Sequence, residues 1–322
     1  MKFPDRAAPR RRLRPEELTA LEADGAICAR GLLDKATVDH MRDALEDVLA
    51  QSGVIGGPLS MPDDGFHGDV FVWKLHDAFR DLALFSCLPE LANQILRSTS
   101  VQFFYEQFFV KRAGSPIDTP WHQDLPFWPV AGTQVASFWI TLDPVSRASS
   151  GLEFVRGSHK WEKRYKAVTP NHDPYMADTD LEAAPDFSQL RREHELLGWD
   201  MEPGDVLVFG PLVAHGSGGN ASQDRDRRAL AFRYCGDDVT FAPRHATMPL
   251  LWDHGLEPGD RLGGPLFPQV LPEVLESEVA TRWAGPEAPS DRAVAAFLAH
   301  LEETGFGAGF EKKPLLDSER SE

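Results

Sequence analysis

The segment Thr119-Pro120-Trp121-His122-Gln123-Asp124 constrains this chain more than any other, because it places a histidine and a carboxylate two residues apart. On a β-strand, residues i and i+2 project from the same face, so His122 and Asp124 can reach one point together. A neutral imidazole and a carboxylate that converge on one point suit a divalent metal ion of intermediate softness. The segment therefore predicts a strand that carries two ligands of a metal site.

A second histidine, His215, supplies the remaining imidazole of such a site. It stands far down the chain in Val213-Ala214-His215-Gly216-Ser217-Gly218, and an arginine follows at Arg227. Two histidines and one carboxylate on one face form the metal site of non-haem Fe(II) oxygenases. A bare His-x-Asp pair is more often a surface turn, and the same ligands also suit zinc.

Composition limits the class of protein before any motif is used. The 322 residues are 42% hydrophobic, as in an ordinary globular protein, and suffice for one large domain. The formal net charge of −17 argues against nucleic acid and against an anionic membrane surface as partners. Three cysteines without a CxxC pair argue against a disulfide framework and favour a reducing cytoplasm. No apolar run in the sequence approaches the length of a membrane span.

Helical patterns come first along the chain, and short β-prone segments separated by turn signals follow them. The pattern predicts a helix from Lys35 to about Gln51, and the first long strand over 101–111. A further amphipathic helix is expected over 291–303, near the end of the chain. This order indicates an α+β protein, mainly β, that is built on a barrel or sandwich.

One domain is the economical interpretation. We expect a disordered basic tail over 1–14, a single domain over 15–310 and a second disordered tail over 311–322. Within the domain, the polar insertion over about 161–195 is interpreted as a lid, and 52–68 as a long loop.

Several short motifs follow one another in a fixed order. They are Thr119–Asp124, Trp139–Asp143, Ser150–Leu152 with Arg156–Lys160, Gly204–Val206, His215–Asn220 and Arg227–Leu230. In this order and spacing, the chain resembles the phytanoyl-CoA dioxygenase (PhyH) family of Fe(II)- and 2-oxoglutarate-dependent oxygenases from about residue 18 to about residue 237. The resemblance implies a double-stranded β-helix or jelly-roll (cupin-like) core over about 100–240, flanked by N-terminal and C-terminal helices.

The resemblance also implies which residues bind the metal and the co-substrates. The residues that would hold Fe(II) are His122, Asp124 and His215. The co-substrate 2-oxoglutarate would chelate the metal beside O2, and Arg227 would bind its distal carboxylate. Further residues of the co-substrate pocket would be Lys111, Gln123 and Trp139.

Two neighbouring arginines compete for the role at the distal carboxylate, because the segment after His215 is one residue longer than is usual in the family. On a strand, Arg227 shares a face with Ala229, Ala231 and Arg233, whereas Arg228 lies on the opposite face. Alternation alone does not say which face lines the barrel. The motif favours Arg227 and leaves Arg228 as a solvated charge.

The expected function is hydroxylation of a C–H bond in a small molecule, coupled to decarboxylation of 2-oxoglutarate to succinate and CO2. Asp124 favours hydroxylation, because related halogenases lack this carboxylate. Without a dense Lys/Arg cluster in 52–68 or 161–192, a secondary metabolite is favoured over a CoA ester. Aromatic side chains that can line the pocket or fill the core are Trp73, Phe127, Trp128, Trp161 and Tyr175. The alternative is a non-catalytic or 2-oxoglutarate-independent small-molecule-binding jelly-roll, and the chain is expected to be a monomer or homodimer.

Overall fold

Helices dominate the N-terminal part of the chain. The computed structural model describes residues 11–50, 65–166, 181–183, 185, 191–244, 247–248, 250–272, 289–290, 292–296 and 299. The named helices are α1 (Pro15–Asp24), α2 (Lys35–Ala50), α3 (Asp77–Phe85) and α4 (Leu88–Leu96). Helix α1 starts at a proline, whose missing N–H costs nothing there, and ends where Gly25 adopts a φ of 90°.

Antiparallel strands form the rest of the described fold. In chain order they are β1 (Ala26–Ala29), β2 (Phe66–Val70), β3 (Val101–Lys111), β4 (Thr119–His122), β5 (Val130–Ala131), β6 (Val135–Thr141), β7 (Glu153–Val155), β8 (Leu196–Gly198), β9 (Val206–Phe209), β10 (His215–Ser217), β11 (Arg227–Cys235), β12 (Thr240–Phe241) and β13 (Gln269–Leu271). The large sheet has the order β1-β9-β6-β11-β3-β13, with β2 also paired to β3, and the small sheet has the order β4-β10-β7-β8. These two facing sheets confirm the predicted jelly-roll core.

Strand β11 is central to the large sheet, because β3 and β6 pair with its two edges. One face of β11 carries Leu230, Phe232 and Tyr234, which pack in the main core with helices α2 to α4. The Tyr234 hydroxyl donates a hydrogen bond to the Ala83 carbonyl of α3 at 2.8 Å. The opposite face of β11 looks toward the small sheet, where a cavity lies between the two sheets.

The ends of the predicted segments differ in places from the structure. Leu13, assigned to the basic tail, is buried, so the folded part begins before residue 15. The end of the predicted loop over 52–68 belongs to β2, whose residues pair with β3 instead of remaining irregular. Much of the expected lid over 161–195, and most of the tails, lie outside the described residues. Residues 292–296 are helical within the predicted helix over 291–303. Among the described helices, none is long and apolar enough to cross a membrane.

A tight turn before β9 gives a test of the packing between this sheet and the start of α2. Gly204 adopts a φ of +96°, and a Cβ there would lie 2.6 Å from the Leu33 carbonyl oxygen. We therefore expect Gly204→Ala to lower the free energy of unfolding by about 2–4 kcal/mol, measured by urea denaturation.

The matched control is Gly255→Ala, where φ is also positive at +67° but nothing lies within 4 Å of the added Cβ. Backbone strain alone should cost about 1 kcal/mol at that position. Equal losses for the two variants would contradict the predicted clash with Leu33.

Candidate functional site

A cavity of about 160 Å³ lies between the two sheets. Its wall includes side chains of the large sheet, among them Trp139 and Arg227, and side chains of the small sheet, among them His122 and His215. Each of His122, Asp124 and His215 offers one ligand atom, and these three atoms lie within 4.8 Å of one another. The structure thus brings together the three residues that the sequence predicted as metal ligands.

The two histidines are neighbours because β4 and β10 pair in a register that sets His215 opposite His122. The Nδ1 of His122 lies 2.7 Å from the Pro120 carbonyl, and the Nδ1 of His215 lies 3.0 Å from the Val213 carbonyl. Since a carbonyl oxygen only accepts, both Nδ1 atoms carry the proton and donate. Each Nε2 is then left with a lone pair, which is the tautomer that a metal requires.

Asp124 reaches this point from a turn and not from the strand. Strand β4 ends at His122, and Asp124 has helical dihedral angles, φ −69° and ψ −42°, at the start of a 3-10 helix over Leu125–Phe127. The expectation that alternation along one strand aligns His122 with Asp124 is therefore wrong. The turn places Asp124 Oδ1 at 3.4 Å from His122 Nε2 and 3.9 Å from His215 Nε2.

Arg244 fixes the backbone that follows Asp124. Its Nη2 donates to the carbonyls of Leu125 at 3.2 Å and Trp128 at 2.7 Å, while its Nη1 donates to the Val130 carbonyl at 3.1 Å. One planar guanidinium thereby satisfies several carbonyls of a short irregular segment. This contact holds the turn, and the orientation of the Asp124 carboxylate with it.

The electrostatic environment favours the ligand states that bind a metal. Burial alone would raise the pKa of Asp124, but the Arg233 guanidinium and the neighbouring imidazoles lower it below its usual value. Burial, with His122 beside it, lowers the pKa of His215 to about 4. At neutral pH, Asp124 is therefore an anion and His215 a neutral imidazole.

Several polar atoms around the cavity are buried and lack a hydrogen-bond partner among the described residues. They are Asp124 Oδ2, Arg227 Nε, and Nε and Nη1 of Arg233. An unsatisfied buried polar group costs about 1–3 kcal/mol, so atoms of this kind indicate that ligands complete the site. One carboxylate and two imidazoles with free Nε2 atoms fit a divalent metal such as iron.

Of the residues predicted for the co-substrate, Arg227 and Trp139 lie on the cavity wall. The Arg227 guanidinium is buried, and its Cζ lies 5.8 Å from the Trp139 ring centroid. Its Nη2 donates to Ser150 Oγ at 3.3 Å and its Nη1 to the Phe109 carbonyl at 3.2 Å. Burial lowers the pKa of Arg227 to about 10, so it remains cationic at neutral pH.

Arg228 points the other way, as alternation requires. It pairs with Asp143 at 2.6 Å and with Glu46 of α2 at 2.6 Å, on the face of the large sheet that packs against the helices. Its donors are used in these ion pairs, which separates it from the cavity wall. The predicted solvated charge is thus a paired one.

Lys111 and Gln123 contact other parts of the fold. The Lys111 ammonium donates to Thr119 Oγ1 at 3.1 Å, Ser217 Oγ at 3.1 Å and the Gly218 carbonyl at 3.0 Å. The Gln123 amide donates to the Leu212 carbonyl at 3.1 Å, so it ties the turn to the segment before β10. Both side chains therefore hydrogen-bond to segments that form the site and do not line the cavity themselves.

Sequence reasoning did not single out several residues of the cavity wall as functional. They are Phe66, Val70, Tyr105, Gln107, Phe109, Asp118, Pro120, Phe209, Arg233 and Met248. Arg233 was detectable, because it repeats the position of Arg227 at an even spacing on β11, whereas Met248 comes from a distant segment without a local signal. Of the aromatic candidates, Phe127 and Trp128 lie on the wall, Trp73 is in the main core, Trp161 packs against the small cluster of Val155 and Ala214, and Tyr175 is outside the described residues.

Comparisons with known proteins agree with this geometry. The sequence profile of the family described as Phytanoyl-CoA dioxygenase (PhyH) matches residues 21–229, more than half of the chain. A probable phytanoyl-CoA dioxygenase of Caenorhabditis elegans is 28% identical over 37% of this chain and 37% of its own length. The peroxisomal phytanoyl-CoA dioxygenase of Homo sapiens is 22% identical over 70% of this chain and 69% of its own length.

A solved structure shares the fold. It is the epimerase SnoN in complex with Fe3+, alpha ketoglutarate and nogalamycin RO, with a TM-score of 0.62 and 18% identity. The superposition covers 79% of this chain and 96% of that one. At this identity the likeness concerns the fold, which agrees with the jelly-roll described above.

The ligand set predicts binding of one metal ion per chain. Anaerobic titration calorimetry with Fe(II) should give 1:1 binding that weakens at least about 100-fold in His215→Ala, because losing a ligand exceeds the effect of losing an outer-shell contact. His159→Ala is the control, since the Nε2 of His159 contacts the Glu22 carbonyl away from the cavity. Undiminished binding in His215→Ala, or equal losses in both variants, would contradict the proposed ligand.

Proposed function

Because the chain belongs to the phytanoyl-CoA dioxygenase family, we propose that it is an Fe(II)- and 2-oxoglutarate-dependent oxygenase that hydroxylates a C–H bond of a small molecule. The observation that carries this proposal is the convergence of His122, Asp124 and His215 beside the buried Arg227 in one cavity. None of these four residues would indicate this chemistry by itself. A three-ligand face with a dicarboxylate anchor next to it is typical of this chemistry.

The ligand residues would hold Fe(II) through the two Nε2 atoms and Asp124 Oδ1. When bound, the metal supplies activation of O2, coupled to decarboxylation of 2-oxoglutarate to succinate and CO2. The protein contributes a fixed ligand geometry, because the Nδ1 contacts to Pro120 and Val213 hold both imidazole rings. Facial binding by three residues leaves the opposite side available to the co-substrates.

Arg227 is the proposed anchor of the distal carboxylate of 2-oxoglutarate. Its Nε is buried without a hydrogen-bond partner in the part of the chain that the structure describes, and its guanidinium faces the cavity. A carboxylate there would form a charge-assisted contact in a buried environment, where such contacts are strong. Trp139 covers one side of this subsite and Thr119 contributes a hydroxyl to its wall.

Lys111 and Gln123 act indirectly in this proposal. Burial and the nearby Arg227 lower the pKa of Lys111 well below its usual range. Its Nζ donates hydrogen bonds to Thr119 and Ser217, and thereby orders the wall of the co-substrate subsite. Gln123 accepts a hydrogen bond from the Tyr165 N–H at 3.1 Å, which connects the ligand turn to the start of the insertion.

The outcome of the oxidation is the less constrained part of the proposal. The fold also serves an epimerase, so the fold does not select hydroxylation. The carboxylate ligand Asp124 supports hydroxylation over halogenation, and the largely aromatic and aliphatic wall supports an organic small molecule as substrate. A product that gains one oxygen atom, detected by mass spectrometry, would distinguish hydroxylation from epimerisation or ring closure.

Arg227 and Arg228 provide a paired test of the co-substrate subsite. In assays of succinate formation, Arg227→Gln should raise the KM for 2-oxoglutarate at least about 30-fold, because the distal carboxylate loses its buried cation. Arg227→Lys should have a KM between those of wild type and Arg227→Gln, since an ammonium keeps the charge but not the two-donor geometry of the guanidinium.

Arg228→Gln is the control on the same strand. It removes the ion pairs with Asp143 and Glu46, so it should lower the melting temperature and leave the KM for 2-oxoglutarate within about 3-fold of wild type. The reverse pattern would place the anchor at Arg228. Wild-type protein that binds Fe(II) but forms no succinate would instead favour the 2-oxoglutarate-independent binding protein.

A further inference from the structure

A second buried arginine, Arg233, lies on the cavity wall and has no part in the co-substrate subsite. It follows Arg227 at an even spacing on β11, so both guanidinium groups project from the same face of the strand. Ala229 and Ala231 lie between them on this face and pack in a buried apolar cluster that includes Trp139. Arg233 is 4% exposed, which makes it as buried as Asp124 and His215.

The hydrogen-bond donors of Arg233 are not satisfied by the protein that surrounds it. Its Nε lies 3.8 Å from Asp124 Oδ2, a distance too long for a hydrogen bond. Both Nε and Nη1 are buried without an acceptor within the described ranges. These two nitrogens lie on different edges of the guanidinium, so one carboxylate cannot satisfy both. Even if Asp124 moved closer to Nε, Nη1 would still need an acceptor.

The aromatic residues around Arg233 hold it in place without neutralising its charge. The Cζ of Arg233 lies 4.5 Å from the Tyr105 ring centroid and 5.5 Å from that of Trp128. These rings are themselves joined, since Trp128 Nε1 donates to the Tyr105 hydroxyl at 2.6 Å. Stacking of this kind fixes the plane of a guanidinium and leaves its edge available for recognition.

Charges on the wall leave Arg233 in excess once the proposed ligands are bound. The charges of Fe(II), Asp124 and Arg227 are balanced by the two carboxylates of 2-oxoglutarate. Among the described residues, the carboxylate nearest to Arg233 is that of Asp124, at 3.8 Å. With Asp124 bound to the metal, Arg233 would lack an anion of its own in a buried site, and an uncompensated buried charge is costly.

We propose that Arg233 binds the carboxylate of an acidic primary substrate, on the side of the metal ligands away from Arg227. This inference rests on the proposed function and specifies its substrate class: an organic acid with a free carboxylate and an apolar body. The body would contact Phe66, Val70, Phe127 and Met248, which line the same cavity. The charge-assisted contact to Arg233 would orient the acid so that a C–H bond near its carboxylate faces the metal.

The test uses acids and their matched amides as probes of the full chain. Octanoate with octanamide, and cyclohexanecarboxylate with cyclohexanecarboxamide, are titrated anaerobically into the Fe(II)- and 2-oxoglutarate-loaded protein. Binding is followed by the shift of the visible metal-to-ligand charge-transfer band, and by calorimetry with the metal-free protein. Wild type should bind each acid at least about 10-fold more tightly than its amide.

Variants separate the role of Arg233 from its neighbours. Arg233→Gln should abolish the preference for acids, and its KM for 2-oxoglutarate should rise far less than that of Arg227→Gln. Arg233→Lys keeps the positive charge and should retain part of the preference for acids. It also serves as the test variant if Arg233→Gln folds poorly. Arg228→Gln, on the opposite face of the same strand, should bind acids and amides as wild type does.

Each contrary result overturns the inference in a distinct way. No preference for acids in wild type, or a preference that survives in Arg233→Gln, excludes a carboxylate contact at this residue. A rise in the KM for 2-oxoglutarate equal to that of Arg227→Gln would show that Arg233 binds the co-substrate. Lost Fe(II) binding would show that its role is to hold the metal ligand Asp124. Absence of the charge-transfer band in wild type would defeat the proposed function, while calorimetry with the metal-free protein still decides the preference for acids.

Discussion

Side-chain alternation along β11 is the constraint on which the rest of this structure depends. The strand lies between β3 and β6, so its backbone is hydrogen-bonded on both edges and its side chains point to the two faces of the sheet. One face gives Phe232 and Tyr234 to the core under the helices, and the other gives Arg227 and Arg233 to the cavity. A slip of one residue would exchange core and site completely. The same register therefore stabilises the fold and positions both cations of the site.

The metal ligands combine two different local structures, the end of a strand and a turn. On a strand, side chains two residues apart project from the same face, so the spacing of His122 and Asp124 alone is compatible with a continuous strand. A carboxylate that shares a metal with His122 has to approach it closely, and Asp124 does so through a helical turn after the strand ends. The strand pairing supplies the second imidazole, since His215 lies opposite His122. Hence the His-x-Asp motif is read correctly as a strand end followed by a turn.

The sequence predicted those features that depend on local pattern. Strand β3, helix α2 and the two histidine motifs follow from periodicity and resemblance, and the structure contains them. The features that it did not predict depend on tertiary contacts. Gln123 and Lys111 are polar and adjacent to the motifs, yet their side chains bond to Leu212 and Ser217, which no local pattern indicates. Arg233 was visible as the even-spaced partner of Arg227, but its importance follows only from the cavity that both arginines share.

The unsatisfied atoms of the cavity connect stability with function. Asp124 Oδ2, Arg227 Nε and two nitrogens of Arg233 are buried without hydrogen-bond partners in the described structure, and each costs about 1–3 kcal/mol in that state. The attraction between Arg233 and Asp124 offsets part of this cost, because it keeps Asp124 ionised where burial alone would favour its protonation. A metal ion bound to Asp124 would share that carboxylate charge and leave Arg233 in greater need of another anion. Under the proposal that Arg233 binds an acidic substrate, such an acid should bind more tightly to the site that already holds metal and co-substrate.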